Sequence, residues 1–294
     1  MPVCVYFKRL LPRFVYRIIR SGALLMLLTI DIGNTVVTIG VFDGSQLVTT
    51  LRVATDTRKL ADEYGATLSN LLNLKGTDPK LIDSACLCSV VPPLTITFEH
   101  VCRDFFNVEP LIVSAGVRTG LSILYDNPRD IGADRIADAV AALNIYNPPI
   151  IIVDLGTASV FDAISEQGEY LGGAIAPGIN LAADSLFFNT SQLRRVELAA
   201  PNTAIGRNTI TALQSGLVLG HADLVSGLVN RFKLELGQEA KVIGTGGLVN
   251  VIASEAPIFD TINQNLTLLG LNLIFHLNQR TRTSEGDHER TANR

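Results

Sequence analysis

The sequence predicts an α/β chain of two similar mixed-sheet domains facing a cleft. Three observations predict it. A strand-like apolar run ends at Asp31-Ile32-Gly33-Asn34-Thr35, and a second ends at Asp154-Leu155-Gly156-Thr157. Each run is followed by strand, turn and strand in the same order, which reads as a duplicated domain rather than a short solenoid repeat. Beyond each three-strand meander, helical and strand-like patterns alternate, as α/β domains require.

Composition sets the outer bounds. The chain has 294 residues, 47% hydrophobic and 18% charged, which is globular rather than disordered. Its net charge of −4 supplies no basic field for nucleic acid. Cys4, Cys86, Cys88 and Cys102 contain no Cys-x-x-Cys pair, and the four His are scattered. A disulfide scaffold and a zinc site are therefore not expected. No uninterrupted apolar run reaches the ~18 residues of a membrane span.

The first domain is read as residues 26–146. Leu27–Ile30 forms its first strand, Val36–Phe42 its second and Gln46–Val53 its third, with Asp43-Gly44 as a two-residue hairpin turn. Lys59–Leu74 is a helix with Leu60, Tyr64, Leu68, Leu71 and Leu72 on one stripe. Ala85–Val91 is a buried strand. Pro92-Pro93 opens a helix to about Phe106, since Pro is tolerated in a first turn. Leu111–Ser114 is a strand and Ala133–Tyr146 a helix.

The second domain is read as residues 147–278. Its meander comprises the run from Ile150 to Asp154, Ser159–Ile164 and Glu169–Leu171, with a turn at Glu166-Gln167-Gly168. Asn208–Leu236 is a long helix, Lys241–Ile243 a strand, Leu248–Ser254 a helix and Leu266–Asn278 a closing helix. Residues 279–294 are polar without periodicity and are read as a disordered tail.

Residues 1–25 hold Lys8, Arg9, Arg13, Arg17 and Arg20 and no acid. Met1 and Met26 are the two Met residues, and Met26 falls where the ordered pattern begins. The segment is read as a basic extension outside the fold, untranslated or disordered. The alternative is a targeting peptide or a basic surface helix.

Chemistry concentrates at the turns. An Asp closing a buried strand before a Gly-containing turn suits a bound phosphate, because Gly lets backbone N–H groups approach and the carboxylate can hold a hard cation. One such turn is more simply an Asx turn. Two in matching places clamp a polyphosphate between them. Gly132-Ala133-Asp134-Arg135 sets an acid beside a base at a helix start, suited either to the helix dipole or to an anionic substrate with an acidic hydroxyl proton acceptor. Gly172-Gly173 with Pro177-Gly178, Gly244-Thr245-Gly246-Gly247 and Gly206-Arg207-Asn208-Thr209 are Gly-rich turns, the last with Asn208 as an N-cap.

Taken in order, DIGNT (31–35), VVPP (90–93), TGL…YDNP (119–128), GADR (132–135), DLGTA (154–158), YLGGAIAPG (170–178), IGRNT (205–209), QSG (214–216) and TGG (245–247) resemble the type III pantothenate kinases. The resemblance runs from about Met26 to about Asn278. It implies the duplicated ribonuclease H-like fold of actin, heat-shock-70 ATPase domains and the acetate and sugar kinases, with a nucleotide cleft. It implies ATP-dependent phosphorylation of pantothenate, the first step of coenzyme A synthesis, in a cytoplasmic homodimer; the charge and the lack of a long apolar run lead to no expected nucleic-acid or membrane partner.

By matching position, the resemblance gives Asp31, Ile32, Gly33, Asn34, Thr35, Val36, Val37, Thr38 and Thr157 as ATP contacts. It gives Tyr125, Gly132, Ala133, Asp134, Arg135 and Thr209 as pantothenate contacts, Thr209 coming from the other half. Asp134 is the implied proton acceptor, Asp154 a K⁺ (or NH₄⁺) ligand, and Asp31 a carboxylate for the Mg²⁺ that travels with ATP. Val36 and Val37 replace the more usual Asn and Thr. Leu155 and Ser159 stand where DFGTAT is common, and Ser159 keeps a hydroxyl.

Overall fold

The structure is a computed structural model describing residues 26–291, with side chains described to Gln279. The reading of residues 1–25 as a basic extension, and the last three residues of the tail, lie outside the described residues.

Strand β1 (Met26–Ile32) is buried along nearly its whole length and pairs antiparallel with β2 (Val36–Asp43). Thr29 carries the one buried hydroxyl of β1, satisfied by the Gly40 carbonyl at 3.2 Å. The Asp43-Gly44 turn, with Gly44 at φ 57°, leads to β3 (Gln46–Ala54), whose alternating exposure marks a half-solvated edge. Helix α1 (Ala61–Leu74) begins where Glu63 accepts from the Leu60 N–H at 2.9 Å. Then come β4 (Ile82–Ser89) and α2 (Pro92–Phe106), which starts on two Pro and ends on Asn107 in the left-handed region. Strand β5 (Pro110–Ile112) completes a sheet of order β3-β2-β1-β4-β5, with β4 and β5 parallel to β1.

The remaining elements are β6 (Ser122–Ile123), α3 (Ala133–Ile145), β7 (Ile150–Leu155), β8 (Ala158–Ile164), β9 (Glu169–Pro177) and α4 (Ile179–Phe188). After them come α5 (Thr209–Gln214), α6 (Gly220–Leu236), β10 (Lys241–Thr245), α7 (Val249–Ala253), β11 (Thr261–Ile262) and α8 (Leu266–Thr291). The second sheet has the order β11-β10-β7-β8-β9-β6. Its meander is antiparallel, and β10 and β11 run parallel to β7. Strand for strand, β9-β8-β7-β10-β11 repeats β3-β2-β1-β4-β5. The duplication expected from the two Asp turns is therefore present in full.

Several details depart from the sequence reading: β9 runs on to Pro177 rather than ending at Leu171, and β6, α4 and β11 are not among the expected elements. The helix expected over 208–236 contains a π turn at Ser215–Leu219, between α5 and α6. The stretch is long and apolar enough to cross a membrane by length and composition alone, and Leu217, Val218, Ala222, Val225 and Val229 lie in the second sheet's core. The closing helix does not stop at Asn278: its backbone is helical as far as Thr291. No Pro interrupts residues 279–291, so the backbone helix simply continues.

Contacts also run across the expected division at 146/147, through two helices and a strand. Strand β6 pairs with β9 of the second sheet. Helix α3 packs on β7 and β8, and α8 packs back on β1, β2 and β4. The two helices cross where a Cβ on Gly270 would run into the Ala137 carbonyl, so glycine permits the close approach. Leu268, Leu271, Ile274 and Phe275 of α8 thereby join Leu27, Phe42, Cys86 and Cys88 in one core. The carboxyl ends of β1 and β7, and the start of α3, face one another across this crossing.

Candidate active site

Both Asp turns are closed by a backbone bond from their glycine, the second turn being one residue shorter. Gly33 N–H donates to the Val36 carbonyl at 3.2 Å, and Gly156 N–H to the Ala158 carbonyl at 3.1 Å. The first turn is braced by Thr55, whose hydroxyl donates to the Gly33 carbonyl at 2.7 Å. The second is braced by Gly178, where a Cβ would collide with the Thr157 carbonyl. Between the turns, the Thr35 and Thr157 hydroxyls share a hydrogen bond of 2.9 Å. Two segments far apart in sequence thus form one polar floor.

Three carboxylates converge beside it. Asp31 ends β1, Asp154 ends β7, and Asp134 sits in the first turn of α3 with its Oδ1 accepting from the Arg135 N–H at 2.8 Å. Burial pushes Asp31 up to about 7, the charge of Asp134 adds to this, and the Cys88 thiol, donating to Oδ1 at 3.4 Å, opposes it. Burial pushes Asp154 up to about 7 as well, helped by the charges of Asp134 and Asp31. Asp138, one turn along α3, is raised well above the carboxylate range by burial and then by Asp154, while accepting from the Thr267 hydroxyl of α8 at 2.7 Å. The sequence reading missed Asp138. An acid recurring at i+4 on a buried helical stripe was the available signal.

This donor set fits a hard cation. The groups are carboxylate and hydroxyl oxygens, and their crowded negative charge is what a cation would relieve. Among the described residues, no three His, Cys, Asp or Glu side chains gather closely enough to ligate a metal together. One or two protein carboxylates with phosphate and water oxygens is the arrangement Mg²⁺ ordinarily accepts.

The residues expected to touch ATP fall into two groups. Asn34, Thr35 and Val36 are exposed on the turn, and Gly33, Thr38 and Thr157 are half-buried. The Ile32 and Val37 side chains are fully buried in the core behind β1 and offer a ligand only their backbone. The hydroxyl kept at Ser159 turns away from the cleft and pairs with His221 Nε2 at 2.8 Å. It belongs to the packing of α6 on β8.

Among the expected substrate contacts, Gly132, Ala133, Asp134 and Arg135 open α3. A Cβ on Gly132 would strike the Asp134 carboxylate, so glycine there leaves the acid its place. Arg135 reaches Asp162 of β8, with Nε and Nη2 at 3.0 and 2.6 Å from Oδ1. Burial works against the guanidinium charge, and the Asp162 carboxylate outweighs it, holding the pKa above its ordinary value. Tyr125 stands on Gly172, whose φ of 127° suits glycine and whose missing Cβ leaves room for the ring. Thr209 is exposed at the start of α5. It lies beside an open cavity of about 380 Å³ lined by Thr203, Arg207, Asn208 and Thr211, and no hydrogen bond joins it to the carboxylates.

A family model described as type III pantothenate kinase matches residues 27–231. A type III pantothenate kinase of Roseiflexus sp. (strain RS-1) is 50% identical over 254 residues, spanning 86% of this chain and 100% of the relative. One from Myxococcus xanthus is 46% identical over 253 residues, spanning 86% and 99%. A solved structure described as a conserved Baf family transcriptional activator from Campylobacter jejuni matches with TM-score 0.51 at 20% identity, covering 86% of this chain and 99% of that one. The ethanolamine utilization protein EutJ from Carboxydothermus hydrogenoformans matches with TM-score 0.50 at 14% identity, covering 84% and 89%. These two share the fold. With near full-length identity to curated relatives added to the duplicated topology and the paired Asp turns, the chain belongs to the type III pantothenate kinase family.

Proposed function

We propose that this chain transfers the γ-phosphoryl group of ATP to the primary hydroxyl of pantothenate, with Asp134 as the general base. The observation that carries the reading is the position of Asp134. It opens a helix at the cleft, near enough to Asp31 and Asp154 for its charge to raise both. The hydroxyl oxygen attacks the γ-phosphorus, its proton passes to Asp134, and ADP leaves with the electron pair of the broken P–O bond. Such a transfer asks mainly for positioning and charge stabilisation. The Gly33–Val36 and Gly156–Ala158 turns offer N–H groups and the Thr35 and Thr157 hydroxyls to the phosphates.

Asp31 would hold the Mg²⁺ that accompanies ATP, through water, and Asp154 a K⁺ or NH₄⁺ ion. When bound, these cations supply neutralisation of phosphate charge. Arg135 would face the anionic end of pantothenate, with Tyr125 packed beside it. A cytoplasmic homodimer is part of the same reading. It would cover Ile175, Phe188, Ile205 and Ile210, which are exposed on the second half of the chain.

The test is a coupled ADP-release assay with pantothenate, in K⁺ and in Na⁺ buffers. Pantothenate-dependent ADP release stimulated by K⁺ is the expected result. Release independent of pantothenate would remove the substrate assignment, and equal rates in both buffers would remove the ion at Asp154.

A further inference from the structure

Asp162 is an acid inside a buried strand, and it gathers three donors on one oxygen. Its Oδ1 accepts from Arg135 Nε at 3.0 Å, Arg135 Nη2 at 2.6 Å and the Tyr170 hydroxyl at 2.6 Å. The Arg135 and Asp162 side chains are 11% and 3% exposed, and Tyr170 is fully buried. The guanidinium also lies over the Tyr170 ring, 5.9 Å from its centroid. The Tyr170 ring in turn packs against Tyr125 at 6.3 Å between centroids. One carboxylate on β8 therefore governs two side chains assigned to the substrate: Arg135 directly, and Tyr125 through Tyr170.

The bond pattern also says what is left for a ligand. Nε and Nη2 are spent on Asp162, so among the described residues Nη1 is the guanidinium nitrogen with no hydrogen-bond partner. No buried side-chain nitrogen or oxygen lacks a partner in the described residues, so Nη1 borders open space. A guanidinium is a planar fork, and clamping two of its nitrogens fixes where the third points.

We infer that Asp162 is a positioning residue for substrate recognition: it locks Arg135 so that the Nη1 edge meets the carboxylate of pantothenate, and through Tyr170 it holds the Tyr125 wall of the same pocket. The inference rests on the reading of Arg135 as a pantothenate contact, and the experiment separates the two. Steady-state KM for pantothenate, KM for ATP, kcat and thermal midpoint are measured for wild type, Arg135→Lys, Asp162→Asn, Tyr170→Phe and the Arg135→Lys/Asp162→Asn double variant.

Tyr170→Phe keeps the ion pair and removes one donor. It should raise the pantothenate KM about 2- to 10-fold, the range of one hydrogen bond. Asp162→Asn should raise it by at least about tenfold, because the guanidinium loses its anchor. The ATP KM should stay within about twofold in both, since a hydrogen bond lost outside the nucleotide site adds nothing there. The double variant should be no worse for pantothenate than the poorer single variant, as residues acting through one contact are not additive. An unchanged pantothenate KM in Arg135→Lys overturns the Arg135 contact and this inference together. A raised KM in Arg135→Lys with unchanged values in Asp162→Asn and Tyr170→Phe overturns the inference alone. Both substrates' KM values rising in parallel would show a structural role and overturn it too. If Asp162→Asn does not fold, Tyr170→Phe decides by the same criteria.

Discussion

The Thr35 and Thr157 hydroxyls meet at 2.9 Å across the cleft, joining turns that lie 122 positions apart in the chain. On the proposed reading each hydroxyl would receive a phosphate oxygen, and in the structure each is paired with the other. On that reading, bound ATP would replace this bond with bonds to its own oxygens. Thr157→Val preserves shape and removes one hydroxyl. The ATP KM should rise about 3- to 10-fold, as loss of one hydrogen bond implies. The pantothenate KM should hold steady. Initial-rate kinetics with each substrate varied in turn measures both, and an ATP KM equal to wild type would remove Thr157 from the nucleotide site.

Asp134→Asn tests the proton acceptor with minimal change of shape. General-base loss costs ~10²–10⁴-fold in rate. Turnover should fall by that amount, while the thermal midpoint stays near wild type because Asp134 is half-buried and its Oδ1 bonds only the adjacent backbone N–H. Pantothenate affinity should change less than turnover, since the amide still hydrogen-bonds the hydroxyl. Turnover within tenfold of wild type would end the assignment.

The pH dependence of stability follows from the raised carboxyls. Asp31 and Asp154 titrate at about 7 in the folded chain against 3.8 as the ordinary value. Between those values the folded chain binds more protons than the unfolded one, so stability falls as pH rises. The contribution is complete below pH 3.8, is lost progressively toward pH 7, and changes little above it. In metal-free buffer without nucleotide, the thermal midpoint should therefore drop from pH 5 to pH 7. Asp31→Asn, which cannot ionise, should show a shallower drop and melt higher than wild type at pH 8. Parallel melting curves for the two proteins across this range would contradict the burial of an ionisable Asp31.

Much of this was legible in the sequence because it is local. Asp43-Gly44, Pro92-Pro93 and the two Asp-x-Gly turns each declare themselves within a few residues, and the elements around them stand where the pattern put them. What the pattern could not carry is long-range pairing. Arg135 beside Asp134 reads as a base at a helix start suited to an anionic substrate, and nothing local shows that Asp162, 27 positions away, holds its guanidinium. Ser159 reads as a kept hydroxyl in the second Asp turn's motif, and its pairing with His221, 62 positions away, is not local. Helix α8 has the periodicity of any amphipathic helix, which does not say that it returns to the first sheet. An acid in the middle of Ala158–Ile164 was the one sequence signal of the buried ion pair, since a lone charge in a core strand needs a partner.

Gly246 gives the sharpest test of how Asp154 is held. Its φ is 89°, which L side chains rarely adopt, and a Cβ there would collide with Asp154 Oδ1 and come within 2.6 Å of the Leu155 carbonyl carbon. The Gly-rich turn after β10 thus backs directly onto the carboxylate assigned to the monovalent cation. Gly246→Ala should destabilise the fold by about 1–3 kcal/mol through backbone strain. It should also displace Asp154 and so blunt the difference in activity between K⁺ and Na⁺ buffers. The neighbouring Gly247 is an internal control, with no positive φ and open space where its Cβ would go. Gly247→Ala should melt and respond to cations like wild type. Thermal midpoints and initial rates in the two buffers, taken for both variants, decide the matter. A Gly246→Ala protein that keeps both the wild-type midpoint and the wild-type cation response would show that the close approach does not constrain Asp154. A loss of the cation response in Gly246→Ala alone would tie that carboxylate's position to the turn behind it.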